Sequence, residues 1–323
     1  MKLALNKLQS WEGFLLCALI FITLLNVYLS PQFLSFSNWI NLFQLSIEKV
    51  IVALVMTFVI INAEIDLSVG SMMGLSACAF GWMVQGGVPG GLVIIACLII
   101  GVVGGATNGW FITKAGLPSL VVTLATLIGF RGLARVLVED RGINEFPEWF
   151  DALGQQGLIG PIPFAIIAFF ILFTALYIVL QRSGFGRKTY LIGTNREVAD
   201  YAGINTARHK MFLFIASGLV SAFAGLLYAA RVGAVRGDVA LGFELDIITI
   251  VLLGGVSIFG GSGTLFGTLL AILIVLSLRN GMALINITGH VQTGVIGLLL
   301  IGSVIAPRIH LTSFWRRLKG ESL

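Results

Sequence analysis

Apolar residues in this chain fall in long unbroken blocks rather than in alternation, and the blocks are rich in Leu, Ile, Ala and Gly. An α-helix needs about 20 such residues to cross a hydrocarbon core about 30 Å thick. Read against its polar breaks, the pattern predicts ten spans, at roughly 12–29, 46–62, 69–84, 91–113, 118–138, 163–180, 211–230, 247–259, 264–284 and 290–306. Dyad alternation is absent, which argues against a transmembrane barrel. The opening segment, basic at Lys2 and Lys7 and then apolar from Phe14 to Leu29, has no small-residue cleavage site behind it and reads as a first helix that stays in the membrane.

The pattern is interrupted at two places. Glu64-Ile-Asp66-Leu-Ser68 separates the second and third spans, and the short eighth span runs into Gly260-Gly-Ser-Gly263. Interrupted segments at corresponding places of two halves are the signature of an internal repeat with a binding site at its interface. The fold expected is therefore all-α: a single membrane domain over 1–323, a polytopic bundle with broken helices and a two-fold repeat of 46–138 and 211–306.

Charge supports the span count. Ten spans leave both termini on one side, and short cytoplasmic loops carry the excess of Lys and Arg. The loop 181–210 holds Arg182, Arg187, Lys188, Arg196, Arg208 and Lys210, and falls inside with Lys114. The loop after the fifth span holds Glu139, Asp140, Glu145, Glu148 and Asp151 against Arg141, and falls outside. Lys2, Lys7, Arg308, Arg316, Arg317 and Lys319 place both termini in the cytoplasm. Composition agrees: 57% of the residues are hydrophobic, 11% are charged and the mean hydropathy is +1.00, which excludes a water-soluble fold. The net charge of +5 follows the positive-inside bias; the basic residues form no stripe, so no nucleic-acid partner is expected. Cys17, Cys78 and Cys97 lie inside spans and read as small packing residues. Small-residue pairs at Gly70 and Gly74, Gly101 and Gly105, and Gly105 and Gly109 predict close helix packing, within a bundle or across a dimer.

Catalytic signatures are missing. No phosphate-cradling G-x-x-x-x-G-K-[ST] is present, the glycine run Gly261 to Gly267 has the wrong spacing for a dinucleotide, and His209, His290 and His310 stand apart. The chain is expected to bind no cofactor and to carry no energy-converting site. Ionisable residues within spans are costly and point to a path. Glu64 and Asp66 sit at the first break, Arg131 lies within the fifth span, and Arg279 with Asn280 lies near the outer end of the ninth. Asp66, Ser68, Asn108, Thr123, Thr126 and Arg131, with Asp246 ahead of the eighth span, are the candidate path residues for a hydroxyl-rich solute. The alternative is that Asp66 or Ser68 caps the helix after the break, and that the Thr hydroxyls bond to their own helix.

The segment Gly184 to Lys210 reads as a positively charged lead into a two-turn helix, capped by Thr194 or Asn195 and ended by Gly203. Val198, Ala199 and Ala202 then form a small apolar face that fits a partner groove, or else rests on the bilayer.

Three stretches carry a family resemblance over about 38–308: Ile65-Asp-Leu-Ser-Val-Gly-Ser71; the loop from Gly184-Phe-Gly-Arg187 through Gly193-Thr-Asn195 to Ala202-Gly-Ile-Asn205; and Glu244-Leu-Asp246 with Val251-Leu-Leu-Gly-Gly-Val-Ser257 and Gly260-Gly-Ser-Gly263. Together they resemble the permease subunits of bacterial ABC importers for ribose and related monosaccharides, a superfamily that includes branched-chain amino-acid permeases. The resemblance implies two permease subunits, identical or different, in the cytoplasmic (inner) membrane. It also implies two cytoplasmic ATP-binding subunits that use ATP and Mg, and an extracytoplasmic sugar-binding protein. It makes Gly193, Thr194, Asn195, Glu197, Val198, Ala199, Ala202, Gly203 and Ile204 the coupling helix that docks on the ATPase. Thr194, Asp200 and Tyr201 depart from the family pattern, which bears on which ATPase is accepted. Leu278 to Met282 and Ile287 to Gly294 look more like the rhamnose-type branch than the ribose branch. The alternatives are an ion-driven secondary carrier coupled through Glu64 and Asp66, or an ABC permease for branched-chain amino acids or nucleosides.

Overall fold

A computed structural model describes residues 11–139, 141–144 and 146–305. Lys2, Lys7, Arg308, Arg316, Arg317 and Lys319, on which the sidedness of the termini rests, lie outside the described residues, as do Asp140, Glu145, His310 and the last residue of the tenth predicted span. The described residues form fourteen α-helices and one small hairpin. The first half comprises α1 (Trp11–Leu29), α2 (Phe36–Gln44), α3 (Ile47–Ile61), α4 (Val69–Gln85), α5 (Gly90–Thr113) and α6 (Ser119–Val138). Then come α7 (Glu148–Gln155), the hairpin of β1 (Gly157–Ile159) and β2 (Ile162–Pro163), α8 (Phe164–Arg182), α9 (Gly184–Thr194) and α10 (Arg196–Tyr201). The chain continues through α11 (Thr206–Val232), α12 (Phe243–Leu253), α13 (Leu265–Leu284) and α14 (Gly289–Ile305).

Each of the ten predicted spans coincides with a helix, but not all reach full length. α1, α5, α6, α8, α11 and α13 are each long and apolar enough to cross a membrane, and α2 with α3 forms a seventh candidate bent by 62°. α4 and α14 have 17 residues and α12 has 11. The eighth span, expected at 247–259, is displaced: α12 runs from Phe243 to Leu253, because Gly254 and Gly255 end it and Gly255 takes φ +86°. Trp11 lies against Gly255, where any Cβ would meet the indole, and its Nε1 donates to the freed Leu253 carbonyl at 2.9 Å.

Every residue of α3 except Lys49 is buried, so α3 forms the centre of the bundle and has no lipid face. α1, α5, α6 and α8 turn exposed apolar residues such as Phe21, Ile99, Ile128 and Ile171 outward, as lipid-facing helices do. Cys17 lies on that outward surface, contrary to its expected packing role, whereas Cys78 and Cys97 are buried. The small-residue pairs pack within the subunit. A Cβ at Gly101 or Gly105 would strike the Gly218 or Phe214 carbonyl of α11, so these two helices meet backbone to backbone. At one end of the bundle, α7 folds back over α4: Phe150 stacks on Phe80 with ring centroids 3.8 Å apart, and Ile143 pairs with Val235 across two loops.

Candidate coupling junction and solute path

α9 begins at Ser183, whose hydroxyl accepts the Phe185 and Gly186 amides at 3.0 and 3.3 Å. The charged lead into the loop is thus itself a helix, which its glycines disguised. The end of α9 is buried between both breaks. A Cβ on Gly193 would collide with the Ile61 carbonyl and the Gly261 amide, and those two groups bond to each other, Gly261 N–H donating to Ile61 O at 2.8 Å. Gly260 and Gly261, at φ +81° and +72°, leave no room for side chains against Ala63 and Thr194. Break one, break two and α9 therefore touch main chain to main chain.

Side chains lock this junction. Asn62 Nδ2 donates to Thr189 O at 3.4 Å, and the Tyr190 hydroxyl donates to Gly263 O at 2.7 Å. Burial raises the Tyr190 hydroxyl above its usual pKa, so it keeps the proton that it donates. Thr189 also meets His209 Nε2 at 2.9 Å. Lys210 pairs with Glu64, each side chain 10% exposed. Span counting assigns all these segments to the same side.

α10 follows at once. Asn195, not Thr194, is its cap, accepting Val198 N–H at 3.1 Å; Thr194 instead bonds back to Tyr190 O at 2.9 Å. Gly203 ends the helix at φ +77°, with Ile204 N–H returning to Ala199 O at 3.1 Å. The predicted apolar face needs one correction: Ala199 is fully buried, because six residues make less than two turns and position 199 faces inward. The exposed surface is Glu197, Val198, Tyr201 and Ala202, with Arg196 and Asp200 3.8 Å apart beside it.

The seven path candidates separate into distinct places. Asp66 Oδ1 accepts Ser68 N–H at 3.0 Å and its hydroxyl at 2.6 Å, Oδ2 accepts the Ser217 hydroxyl at 2.7 Å, and Asn108 Nδ2 donates to Ser68 Oγ at 2.9 Å. Asp66 thus closes a turn on Ser68 just ahead of α4 and, with Ser68, ties that turn to α5 and α11; neither residue's side chain accepts a free amide of α4, as the capping alternative requires. Thr123 bonds to Ser119 O at 2.8 Å and reaches Ile65 O at 3.3 Å, joining α6 to the break. Thr126 bonds only within its own helix, to Val122 O at 3.1 Å and Thr123 O at 3.4 Å. Arg131 donates through Nη1 to Val239 O. Asp246 lies in the first turn of α12, where Lys49 reaches it at 2.7 Å and Arg279 clasps both its oxygens at 2.8 Å. Beside that cluster Arg231 donates to the buried Glu48 at 2.7 Å. The sequence reading missed Glu48, Lys49, Ser217, Arg231 and Lys210. Glu48 and Lys49 had a visible signal, an opposite-charge pair inside a predicted span. Ser217, amid Ala and Gly, had none. Among the described residues, no group of three or more His, Cys, Asp or Glu is placed to hold a metal.

A family model described as branched-chain amino acid transport system / permease component matches residues 38–304. The chain is 36% identical over 267 residues (81% of this chain, 80% of the relative) to the autoinducer 2 import system permease protein LsrD of Yersinia enterocolitica. It is 33% identical over 294 residues (90% of each) to the ribose import permease protein RbsC of Haemophilus influenzae. It is 35% identical over 282 residues (87% of each) to that of Bacillus subtilis. No solved structure matches it.

Proposed function

This chain belongs to the branched-chain amino acid transport system / permease component family, and from that premise we propose that it is the membrane permease of an ATP-driven importer that moves a monosaccharide across the bacterial cytoplasmic membrane. Two permease subunits, identical or different, enclose the path, and both termini of this one are cytoplasmic. A binding protein docks on the outer loops 139–160 and 231–246 and releases the solute there. Two cytoplasmic subunits bind ATP and Mg and receive α10 in a groove. The repeats 46–138 and 211–306 each contribute one of the two breaks.

The observation that carries this reading is the seat of Gly193 between Ile61 and Gly261. A push on α10 reaches both breaks through rigid main-chain contacts, and rocking of the two halves then opens the path alternately to each side. Solute moves because its affinity differs between the two states. An ion-driven carrier would use Glu64 and Asp66 as titrating sites, but Glu64 is held by Lys210 and Asp66 by three hydroxyl and amide donors, which suits fixed roles better.

The names of the relatives support a compact hydroxyl-rich solute, and the stretches 278–282 and 287–294 point within that class to a rhamnose-like deoxysugar. The deciding experiment places the importer with its ATPase and binding protein in proteoliposomes and replaces Val198 by Glu and Tyr201 by Ala. Sugar-stimulated ATP hydrolysis is expected to collapse. Unchanged stimulation, or uptake under an ion gradient without ATP, would sink the proposal.

A further inference from the structure

Among the described residues, four charged side chains carry a buried atom with no partner, namely Glu48, Arg131, Asp151 and Glu244, and two of them, Arg131 and Glu244, share one face of α4. Arg131 is 6% exposed, and its Nε and Nη2 are buried without a partner; Glu244 is 9% exposed, and its Oε2 is likewise unpartnered. An unpaired charged atom in a dry interior is costly, so such atoms mark a place where something else binds. Both groups lie on one face of α4, a turn apart. The Glu244 carboxylate covers Gly70, and Arg131 Nη1 sits 3.1 Å from where a Gly74 Cβ would be. Only glycine at both positions leaves room for them, and the two charges act on each other.

The bonds already made define what is left over. Arg131 spends Nη1 on Val239 O, which leaves free the edge carrying Nε–H and Nη2–H, two parallel donors suited to a pair of neighbouring oxygens. Glu244 leaves one carboxylate oxygen as an acceptor. Val239, whose carbonyl Arg131 holds, and Ala240, whose carbonyl lies beside Gly70 with the Glu244 carboxylate, also line a cavity of about 290 Å³ with Tyr228, Asp238 and Phe243. That stretch is strained: Ala240 holds φ +58°, where a side chain is unfavourable.

We infer that Arg131 and Glu244 form a solute clamp for vicinal hydroxyls, screened from that cavity by the segment 236–242. Two neighbouring hydroxyl oxygens accept from the free guanidinium edge, and a further hydroxyl donates to Glu244 Oε2. The Arg and Glu charges offset each other, so a neutral polyol leaves the site neutral. This rests on the monosaccharide reading above.

The test first asks which of L-rhamnose and D-ribose the complete importer takes up in proteoliposomes, and then measures kcat/KM for uptake of that labelled sugar and of its 2-deoxy analogue. Arg131→Lys, Glu244→Gln and the double neutral variant Arg131→Gln/Glu244→Gln are compared with the parent at equal assembly. The binding protein imposes the same selection on all four, so a change in the ratio of sugar to 2-deoxy analogue reports on the permease. Each variant is expected to lose about tenfold or more of its uptake of the parent's sugar, with the ratio falling to the value that the binding protein alone imposes, read from its affinities for the two compounds. Recovery of parental uptake by the double variant would mean that the charges only hold each other, and would overturn the clamp. Parental rates and ratio in Arg131→Lys and Glu244→Gln would overturn it too, while leaving the importer reading intact. A parent that moves L-leucine and neither L-rhamnose nor D-ribose would overturn both.

Discussion

Lys210 and Glu64 are a buried pair at the junction, and their energetics are asymmetric. Removing one partner strands the other charge where water is scarce, whereas neutralising both leaves no buried charge unpaired. Lys210→Met alone is therefore expected to destabilise the protein by about 3–5 kcal/mol, and Lys210→Met with Glu64→Gln is expected to regain most of that, read as thermal unfolding in detergent. Gly193 sets a harder limit, because its neighbours are backbone atoms that cannot rotate away. Gly193→Ala is expected to cost about 1–3 kcal/mol by overpacking and to uncouple ATP hydrolysis from uptake, whereas Gly297→Ala, with open space at the Cβ position, changes neither. At this scale the sequence was partly readable. A carboxylate beside a break announced itself at Asp66, but its role as a tie between segments became visible only with Ser217 beside it, and no spacing rule links residues 66 and 217.

Among the elements, α10 is the one whose signals were clearest. Asn195 and Gly203 bracket the six helical residues Arg196–Tyr201 and the C-cap Ala202, and both act at the helix ends as their residue types suggest. What could not be read was its orientation, since a helix so short presents no periodicity, and Ala199 turned inward. Asn195→Ala is expected to lower stability by only about 1 kcal/mol while markedly weakening solute-stimulated ATP hydrolysis, so the ratio of the two effects distinguishes a docking helix from a structural one. The apolar blocks located every span because lipid demands a continuous apolar run, yet they overran the end of α12. Ile258 and Phe259 are as apolar as the helix before them, and only the paired Gly254 and Gly255 reveal that the chain has already turned. Helix α7 escaped notice for the opposite reason: eight residues with Glu148 and Asp151 read as a polar loop, and the aromatic stack with Phe80 is a tertiary fact.

For the molecule as a whole, span counting and charge predicted which segments share a side, and the contacts agree: both breaks gather at the α9–α10 loop, and the loops around Ile143 and Val235 meet at the other end. Cysteines introduced at Tyr201 and at Leu158, both exposed, are expected to react with an impermeant maleimide from opposite faces of sealed vesicles; labelling of both from one face would contradict the topology. The seat of Gly193 has one more consequence. Because the three segments meet through peptide groups, the identity of the side chains on the outer surface of α10 is decoupled from the transmission of movement. In the docking role proposed above for α10, Glu197, Val198 and Tyr201 are free to drift toward a different motor while the gearing behind them stays the same, and exchange of the ATPase between related importers would then require retuning only a surface of a few residues.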